Sequence, residues 1–184
     1  MKPLRQQYEQ HGVQQYYRGH GARYRNPHES VVQRLLSRMV EEWPVDTRHV
    51  LDLACGSGEV TLALGEVGIT NVDGVDPYTH AAYRNRTGRR AERLTFEQIA
   101  AGAMSEKAYS LIICSFALHL VEKSRLAGIV LQLSLVAPQL AVITPNKRPH
   151  IAKHLGWRLI EEMEISRVKA RLYRSQQHDS GAPK

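Results

Sequence analysis

The chain contains little cysteine and no long hydrophobic run. None of the apolar stretches in its 184 residues reaches the roughly 18 residues needed to cross a bilayer. The first residues, MKPLRQQYEQHG, lack the apolar middle of a secretory signal peptide. Both cysteines, Cys55 and Cys114, lie in apolar, strand-like surroundings, and no cysteine or histidine cluster has zinc-site spacing. We therefore expect a cytoplasmic protein with buried free thiols, no membrane segment and no metal.

Positive charge, by contrast, is in excess and clustered. The formal net charge is +7 and the pI is about 9.6. The first basic cluster consists of Arg84, Arg86, Arg89, Arg90 and Arg93. The second consists of Lys147, Arg148, Lys153, Arg158, Arg167, Lys169, Arg171 and Arg174. A basic surface attracts polyanions and anionic small molecules, and a solvated surface without a partner is the alternative interpretation.

The hydrophobic pattern predicts one domain in which strands alternate with helices. NPHESVVQRLLSRMVEEW predicts a first helix, with Asn26 as N-cap, Pro27 at the first helical position and Glu29 completing a capping box. Five strands are then predicted at HVLDLA, NVDGVD, RLTFEQIA, YSLIICSF and QLAVIT. Further helices are predicted at EVTLALGEV, THAAYRNRTGRRAE and VEKSRLAGIVLQLSLV.

The last part of the chain has a different pattern. GWRLIEEMEIS and RVKARLYRS alternate like two paired antiparallel strands, and QQHDSGAPK is a polar tail. The whole pattern predicts an α/β fold with a mostly parallel sheet flanked by helices and a C-terminal antiparallel hairpin. We assign an N-terminal segment to residues 1–25, the folded domain to residues 26–175 and a disordered tail to residues 176–184.

A glycine turn follows the first predicted strand in VLDLACGSGEV. Thr61 occupies the position of the third glycine or alanine of a dinucleotide site, and the Lys-Ser/Thr end of a P-loop is absent. Asp52, just before the turn, would repel a diphosphate but attract a cationic amine or sulfonium. Asp76 ends the next strand, where an acid accepts hydrogen bonds from ribose hydroxyls. The turn therefore suits a cofactor with an amino group and no phosphates.

These residues carry a resemblance to a known family. VLDLACGSGEVTLAL and VDGVDP resemble motifs I and II of the class I S-adenosylmethionine-dependent methyltransferases, and YSLIICSFALHLV resembles a later strand and its following segment. The resemblance covers about residues 48–145. It implies a Rossmann-like fold, S-adenosylmethionine as cofactor and S-adenosylhomocysteine as product.

The resemblance also implies roles for individual residues. The first-strand acid, Asp52, would orient the amino end of the cofactor, and Gly56 and Gly58 would let the backbone approach its methionyl part. Asp76 would bind the ribose. The neighbouring positions expected to contact the cofactor are Ala54, Cys55, Pro77, Gln98 and Ser115.

The chain departs from the family pattern at two places. The family often has an aspartate beside the adenine amine, but EQIAAGAM offers alanine there, so Glu97, Gln98 or the backbone must serve. The Asn/Asp-Pro-Pro-Tyr/Phe motif of methylation on base or amide nitrogen is also absent, since CSFAL occupies its place. The second departure argues against an amino-methylating nucleic-acid enzyme.

Catalytic residues must lie at the mouth of the site. Methyl transfer is an in-line displacement, so positioning supplies much of the acceleration, and a base is needed only for a protonated acceptor. His119, after the fourth strand, is a candidate base or a packing residue. Tyr17, Tyr24 and His28 are candidates for a lid over the cofactor. The loop TPNKRPH after the fifth strand is either an acceptor contact or a solvated turn.

The leading functional hypothesis is methyl transfer to a small-molecule acceptor, with an anionic acceptor among the expectations. Two alternatives stay open. One is an RNA methyltransferase, which the basic clusters favour. The other is a non-catalytic cofactor-binding or activator subunit. The sequence leaves the oligomeric state undetermined.

Overall fold

The computed structural model describes residues 25–145 and 147–181. Within these ranges seven strands form one sheet: β1 (Val50–Leu53), β2 (Val72–Val75), β3 (Ala91–Glu92), β4 (Leu111–Ser115), β5 (Gln139–Thr144), β6 (Trp157–Ile165) and β7 (Val168–Ser175). Their order is β3-β2-β1-β4-β5-β7-β6. Strands β1 to β5 pair in parallel, whereas β7 pairs antiparallel with β5 and with β6. The predicted mixed sheet with a terminal hairpin is confirmed.

Five α-helices in the described ranges flank the sheet: α1 (Glu29–Glu42), α2 (Glu59–Glu66), α3 (His80–Thr87), α4 (Phe96–Ala100) and α5 (Lys123–Val136). Short 3-10 helices cover Leu118–Leu120, Lys153–Leu155 and Gln176–Gly181. The last of these lies within residues 176–184, for which the sequence predicted a disordered tail. Across the described residues, no helix has the length and apolar character to span a membrane.

The central strands are buried on both faces. In β4, Leu111 and Ile113 belong to the apolar cluster formed with α1 and α2, while Ile112 and Cys114 belong to the cluster formed with α4 and α5. Side chains alternate between the two faces of a strand. A strand that is covered on both faces therefore reaches the nearly continuous hydrophobic composition seen in LIIC.

The third strand differs from its prediction. RLTFEQIA was expected to be a strand, but β3 has two residues and α4 begins at Phe96. Thr95 is the N-cap: its hydroxyl accepts from the N–H of Gln98 at 3.2 Å, and the Gln98 amide oxygen accepts from the N–H of Thr95 at 2.9 Å. This capping box satisfies two N–H groups of the first turn, which outweighs the local strand pattern.

The start of α1 also differs from its prediction. His28, not Asn26, is the N-cap, and no side chain caps the helix. The Asn26 side-chain oxygen instead accepts from the N–H of His28 at 2.9 Å, and the carboxylate of Glu29 contacts the guanidinium of Arg86. The Glu29 carboxylate is therefore used in an ion pair with Arg86 and is not available for the predicted capping box.

Helix α3 packs so closely on the sheet that two glycines are required beneath it. A Cβ atom at Gly74 in β2 would lie 2.6 Å from Cζ of Tyr83, and one at Gly58 would lie 2.5 Å from Cγ2 of Thr87. Tyr83 is fully buried, so its ring has no open space into which it could move. The absence of side chains at these positions lets α3 approach the segment that follows β1.

We expect Gly74→Ala to lower the free energy of unfolding by about 1–3 kcal/mol, because the added methyl group overlaps the Tyr83 ring. Gly65→Ala is the matched control: Gly65 is inside α2, and a methyl group added there would have no neighbouring atom within 4 Å. It should raise the same quantity by about 0.5–1 kcal/mol through helix propensity. Urea unfolding measures both, and equal effects would contradict the packing argument.

Candidate functional site

A cavity of about 930 Å³ lies at the carboxyl ends of the parallel strands. Its wall is formed by the segments that follow β1, β2 and β4, and by α4 and the first turns of α5. In an open α/β sheet, this edge is where ligands bind. Sites for small molecules have volumes of about 300–1,000 Å³, so the cavity is at the large end of that range.

The turn after β1 forms part of the cavity wall at Ala54 and Gly56. Ala54, Gly56 and Gly58 all have positive φ angles, of 56°, 57° and 91°. The turn is held by the carboxylate of Asp76, which accepts from the N–H of Gly56 at 3.2 Å. The other oxygen of Asp76 accepts from the N–H groups of Tyr78 and Thr79, both at 2.8 Å. One carboxylate thus joins the ends of β1 and β2.

Asp52 lies beneath the same turn and is almost completely buried. One of its oxygens accepts from the backbone N–H of Thr61 at 3.1 Å and from the Thr61 hydroxyl at 2.7 Å. Burial above all, together with the neighbouring carboxylates of Glu59 and Asp76, raises the pKa of Asp52 to about 7 against the lowering effect of the Thr61 hydrogen bonds. The carboxyl group is therefore partly protonated near neutral pH.

The structure brings together five of the nine residues expected to contact a cofactor. The cavity wall includes Ala54, Gly56, Asp76, Pro77 and Ser115.

The other four lie elsewhere. Asp52 and Cys55 are buried beneath the turn, and burial raises the pKa of the Cys55 thiol. Gly58 is packed against α3. Gln98 is exposed, its amide is used in the capping box of α4 and it is not part of the cavity wall, so its adenine contact stays a prediction. The Gln98 side chain cannot cap α4 and point into the cavity at the same time.

Three aromatic rings lie beside the cavity. Phe116 is on its wall and has a positive φ of 56°, an uncommon conformation for a residue with a side chain. The ring of His28 stacks on it, with centroids 5.0 Å apart and planes at 16°. The ring of His119 meets it edge-on, with centroids 6.4 Å apart. Neither histidine is part of the cavity wall, so both contact the site through Phe116.

His119 has the properties of a neutral packing residue. Burial lowers the pKa of His119, and its Nδ1 is buried with no hydrogen-bond partner among the residues that the structure describes. The candidate lid residues Tyr17 and Tyr24 lie outside the described residues. So does Asn146 in the loop after β5. In that loop Lys147, Arg148 and His150 are exposed and are not part of the cavity wall.

Of the charged residues on the far wall of the cavity, sequence reasoning considered Glu97 but missed Glu122 and Arg125. Arg125, near the start of α5, donates to Glu97 of α4 at 2.9 Å and lies 3.5 Å from Glu122. All three line the cavity. The position of Arg125 four residues after the end of the segment CSFALHLV was the available signal, but spacing alone does not indicate that α4 and α5 meet there.

The described residues contain no group of three or more histidine, cysteine, aspartate or glutamate side chains that could hold a metal ion. Charged side chains on the cavity wall, within the described ranges, are those of Asp76, Glu97, Glu122 and Arg125. The wall therefore carries three carboxylates and one guanidinium.

Comparisons with known proteins decide the family. A family model described as a methyltransferase domain matches residues 50–136, which contain the glycine turn and Asp76. An uncharacterized protein from Schizosaccharomyces pombe is 33% identical over 196 aligned positions, which cover 84% of this chain and 79% of that protein. The chain belongs to the class I S-adenosylmethionine-dependent methyltransferases. It is an enzyme whose cofactor is S-adenosylmethionine.

Solved methyltransferases share the fold. The magnesium protoporphyrin IX methyltransferase from Synechocystis, solved with bound S-adenosylmethionine, is 16% identical, with coverage of 92% of this chain and 93% of that one and a TM-score of 0.58. The N-methyltransferase NodS from Bradyrhizobium japonicum, solved with S-adenosylhomocysteine, is 14% identical, with 82% and 88% coverage and a TM-score of 0.60. The CcbJ methyltransferase from Streptomyces caelestis is 12% identical, with 86% and 95% coverage and a TM-score of 0.63.

The cavity of this methyltransferase fits the cofactor in charge and in polar groups. A wall with an excess of carboxylates suits a ligand that carries a sulfonium and an ammonium group. Thr79 and Ser115 also form part of the wall, and their hydroxyl oxygens are buried with no partner within the described part of the chain. Because buried hydroxyls are normally hydrogen-bonded, rotation of either side chain toward a polar ligand would be favourable.

We expect Asp52→Asn to stabilise this methyltransferase more as the pH rises. The unfolded chain releases the Asp52 proton near its ordinary pKa of 3.8, whereas the folded protein holds it until about pH 7. Ionisation in the folded state therefore costs stability as the pH rises through this window, and asparagine avoids that cost, on the order of 2–4 kcal/mol. Urea unfolding at about pH 5 and pH 8 measures the difference between the variant and the wild type.

Glu41→Gln is the control for this experiment, because it removes an exposed carboxylate from α1. Its effect on the free energy of unfolding should change little between the two pH values. A difference between Asp52→Asn and wild type that does not depend on pH would contradict the raised pKa.

Proposed function

We propose that this methyltransferase transfers the methyl group of S-adenosylmethionine to a small molecule bound in the cavity at the carboxyl ends of β1, β2 and β4. The observation that carries the proposal is the junction of Gly56 with Asp76 on the wall of that cavity. The volume of about 930 Å³ leaves room for an acceptor next to the cofactor.

The chain's own residues bind and orient the cofactor. Ala54 and Gly56 are on the cavity wall and would contact the methionyl part. The Asp76 carboxylate, which already accepts from the N–H of Gly56, would also accept from the ribose hydroxyls. Pro77, which is also on the wall, would pack against the adenine. Asp52 acts from beneath the turn, through its charge, on the amino end of the cofactor. The bound cofactor supplies an electrophilic methyl group on a sulfonium.

The acceptor is expected to be neutral or cationic. The wall that follows β4 is apolar at Phe116, Ala117, Leu120 and Val121. Its charged groups elsewhere are mainly carboxylates, which disfavour an anion. This argument replaces the expectation of an anionic acceptor from the net charge of the chain.

Catalysis is proposed to depend mainly on positioning. Phe116 fixes the wall next to the acceptor, and His28 and His119 hold its ring from two sides. We assign His119 this packing function in preference to that of a general base, because it is not part of the cavity wall. An acceptor that loses its proton to water needs no base.

The RNA alternative loses part of its support in the structure. Arg86 and Arg171 are mostly buried and paired with glutamates, and Arg89 donates to the backbone carbonyls of Val72 and Thr70. Cations used in this way are not available to phosphates. Steep salt dependence of RNA binding would favour the RNA alternative, and cofactor binding without turnover of any acceptor would favour the non-catalytic subunit.

A reducing compartment such as the cytoplasm is consistent with the thiols. Cys55 and Cys114 are buried and free. Free buried cysteines are common in cytosolic proteins, where disulfides are rare.

We expect calorimetry to detect binding of S-adenosylhomocysteine and no binding of NAD or ATP. Asp76→Asn should weaken this binding by about 1.5–3 kcal/mol, because charge-assisted hydrogen bonds to the ribose are lost. Asparagine keeps one oxygen for the N–H groups of Tyr78 and Thr79 but has no second acceptor for the N–H of Gly56, so the melting temperature of the variant is measured alongside its affinity. Asp73→Asn is the control, since that side chain is on β2 but is 55% exposed and contacts His49.

Binding of NAD with no response to S-adenosylhomocysteine would refute the proposed cofactor site. Equal affinities of the two aspartate variants would move the ribose contact to another residue.

We expect deletion of residues 1–24 to leave the melting temperature nearly unchanged and to lower the affinity for S-adenosylhomocysteine. The deletion retains Asn26, whose N–H donates to Glu59 at 3.0 Å, and Glu29, which contacts Arg86. A lid excludes water and completes a site, so its loss weakens binding. Tyr17→Ala and Tyr24→Ala should each reproduce part of the loss. Early melting with normal binding would make the segment a structural strap instead.

A further inference from the structure

Arg86, near the end of α3, lies where four segments of the chain meet. Its Nη1 donates to the hydroxyl of Ser57 at 3.0 Å and to the carbonyl oxygen of Ser57 at 3.4 Å, inside the glycine turn. The same nitrogen lies 3.3 Å from the carboxylate of Glu59, the first residue of α2. The other terminal nitrogen contacts the carboxylate of Glu29, the first residue of α1.

The carboxylate of Glu59 extends this cluster in two directions. It accepts from the backbone N–H of Asn26 at 3.0 Å, before α1, and from the N–H and hydroxyl of Ser57. Ser57 is fully buried, and the side chains of Glu59 and Arg86 are 6% and 18% exposed. Ion pairs that are shielded from solvent are weakly screened, and removing one partner leaves the other unsatisfied.

The geometry points to Arg86 as a positioning residue that connects the N-terminal part of the chain to the glycine turn. Ser57 directly follows Gly56, the turn residue on the cavity wall, so the hydrogen bonds from Arg86 restrain the peptide next to the one at the proposed cofactor site. Glu29 makes no contact with the turn except through Arg86 among the hydrogen bonds and ion pairs of the described residues. The inference rests on the proposed cofactor site.

A coupling follows from this arrangement. The turn binds the cofactor best in one shape, and the pair of Glu29 with Arg86 favours that shape. Cofactor binding and docking of the start of α1 must then strengthen each other by the same factor, because linkage is reciprocal. The same coupling should extend to the part of the cavity proposed to bind the acceptor, because His28, the residue before Glu29, stacks on Phe116 of the cavity wall.

The test is calorimetry of S-adenosylhomocysteine with the full-length protein. Arg86→Gln should weaken binding roughly tenfold or more, because charge-assisted hydrogen bonds to the turn are lost. Glu29→Gln should weaken it less, although Glu29 does not line the cavity. Arg86→Lys keeps the charge but cannot donate in two directions from a planar group, so it should restore only part of the affinity.

Arg89→Gln is the matched control. It removes the same charge one residue after the Gly88 cap of α3, where Arg89 donates to Val72 and Thr70 and not to the glycine turn. It should lower the melting temperature without changing the affinity for S-adenosylhomocysteine. Nuclear magnetic resonance provides a measurement that does not depend on protein stability. The amide signals of Gly56 and Gly58 should shift in Arg86→Gln and Glu29→Gln but not in Arg89→Gln.

The double variant Glu29→Gln, Arg86→Gln should bind as weakly as Arg86→Gln alone, since both changes act through one contact. Additive losses, or an Arg86→Gln variant that binds like the wild type or like Arg89→Gln, would overturn the coupling. A wild-type protein that does not bind S-adenosylhomocysteine would instead refute the proposed cofactor site.

Discussion

The hydrogen bond from the N–H of Gly56 to the carboxylate of Asp76 is the contact on which the site depends. It joins the ends of two neighbouring parallel strands, and the same carboxylate also accepts from Tyr78 and Thr79. The glycine turn and the start of the segment before α3 are therefore fixed relative to each other. The cavity between the strand ends has a defined shape because both of its near walls end at this carboxylate.

Helix α3 supports this junction from the other side. Its Tyr83 and Thr87 pack where side chains are missing at Gly74 and Gly58, and Arg86 reaches the carbonyl of Ser57. The helix thus provides a surface for the turn and a connection to α1 at once. Packing of α3 on the sheet alone does not require a buried guanidinium. Burial of the Arg86 charge is costly unless the charge is paired, as it is here with glutamates.

The sequence predicted most of the sheet and half of the site. Strands buried on both faces give continuous apolar runs, and the glycine turn with Asp76 is a local pattern, so both were visible. The prediction of a strand at RLTFEQIA was wrong because Thr95 and Gln98 form a capping box that starts a helix there. The prediction of Asn26 as the N-cap of α1 was wrong because the carboxylate of Glu29 contacts Arg86 instead of completing a capping box. The pair of Glu97 and Arg125 was not predictable, since it requires α4 and α5 to meet in space.

The carboxylates around the turn show where the protein gives up stability for its ligand. Asp52 is buried next to Glu59 and Asp76, and its raised pKa measures the cost of ionising it there. Within the described hydrogen bonds and ion pairs, Arg86 neutralises Glu59 and does not reach Asp52. Asp52 therefore has no cation beside it among these contacts, and ionising it would be easier next to a positively charged ligand. A cationic ligand at the proposed cofactor site would offset this cost, which is the role that we propose for an acid in the core of the fold.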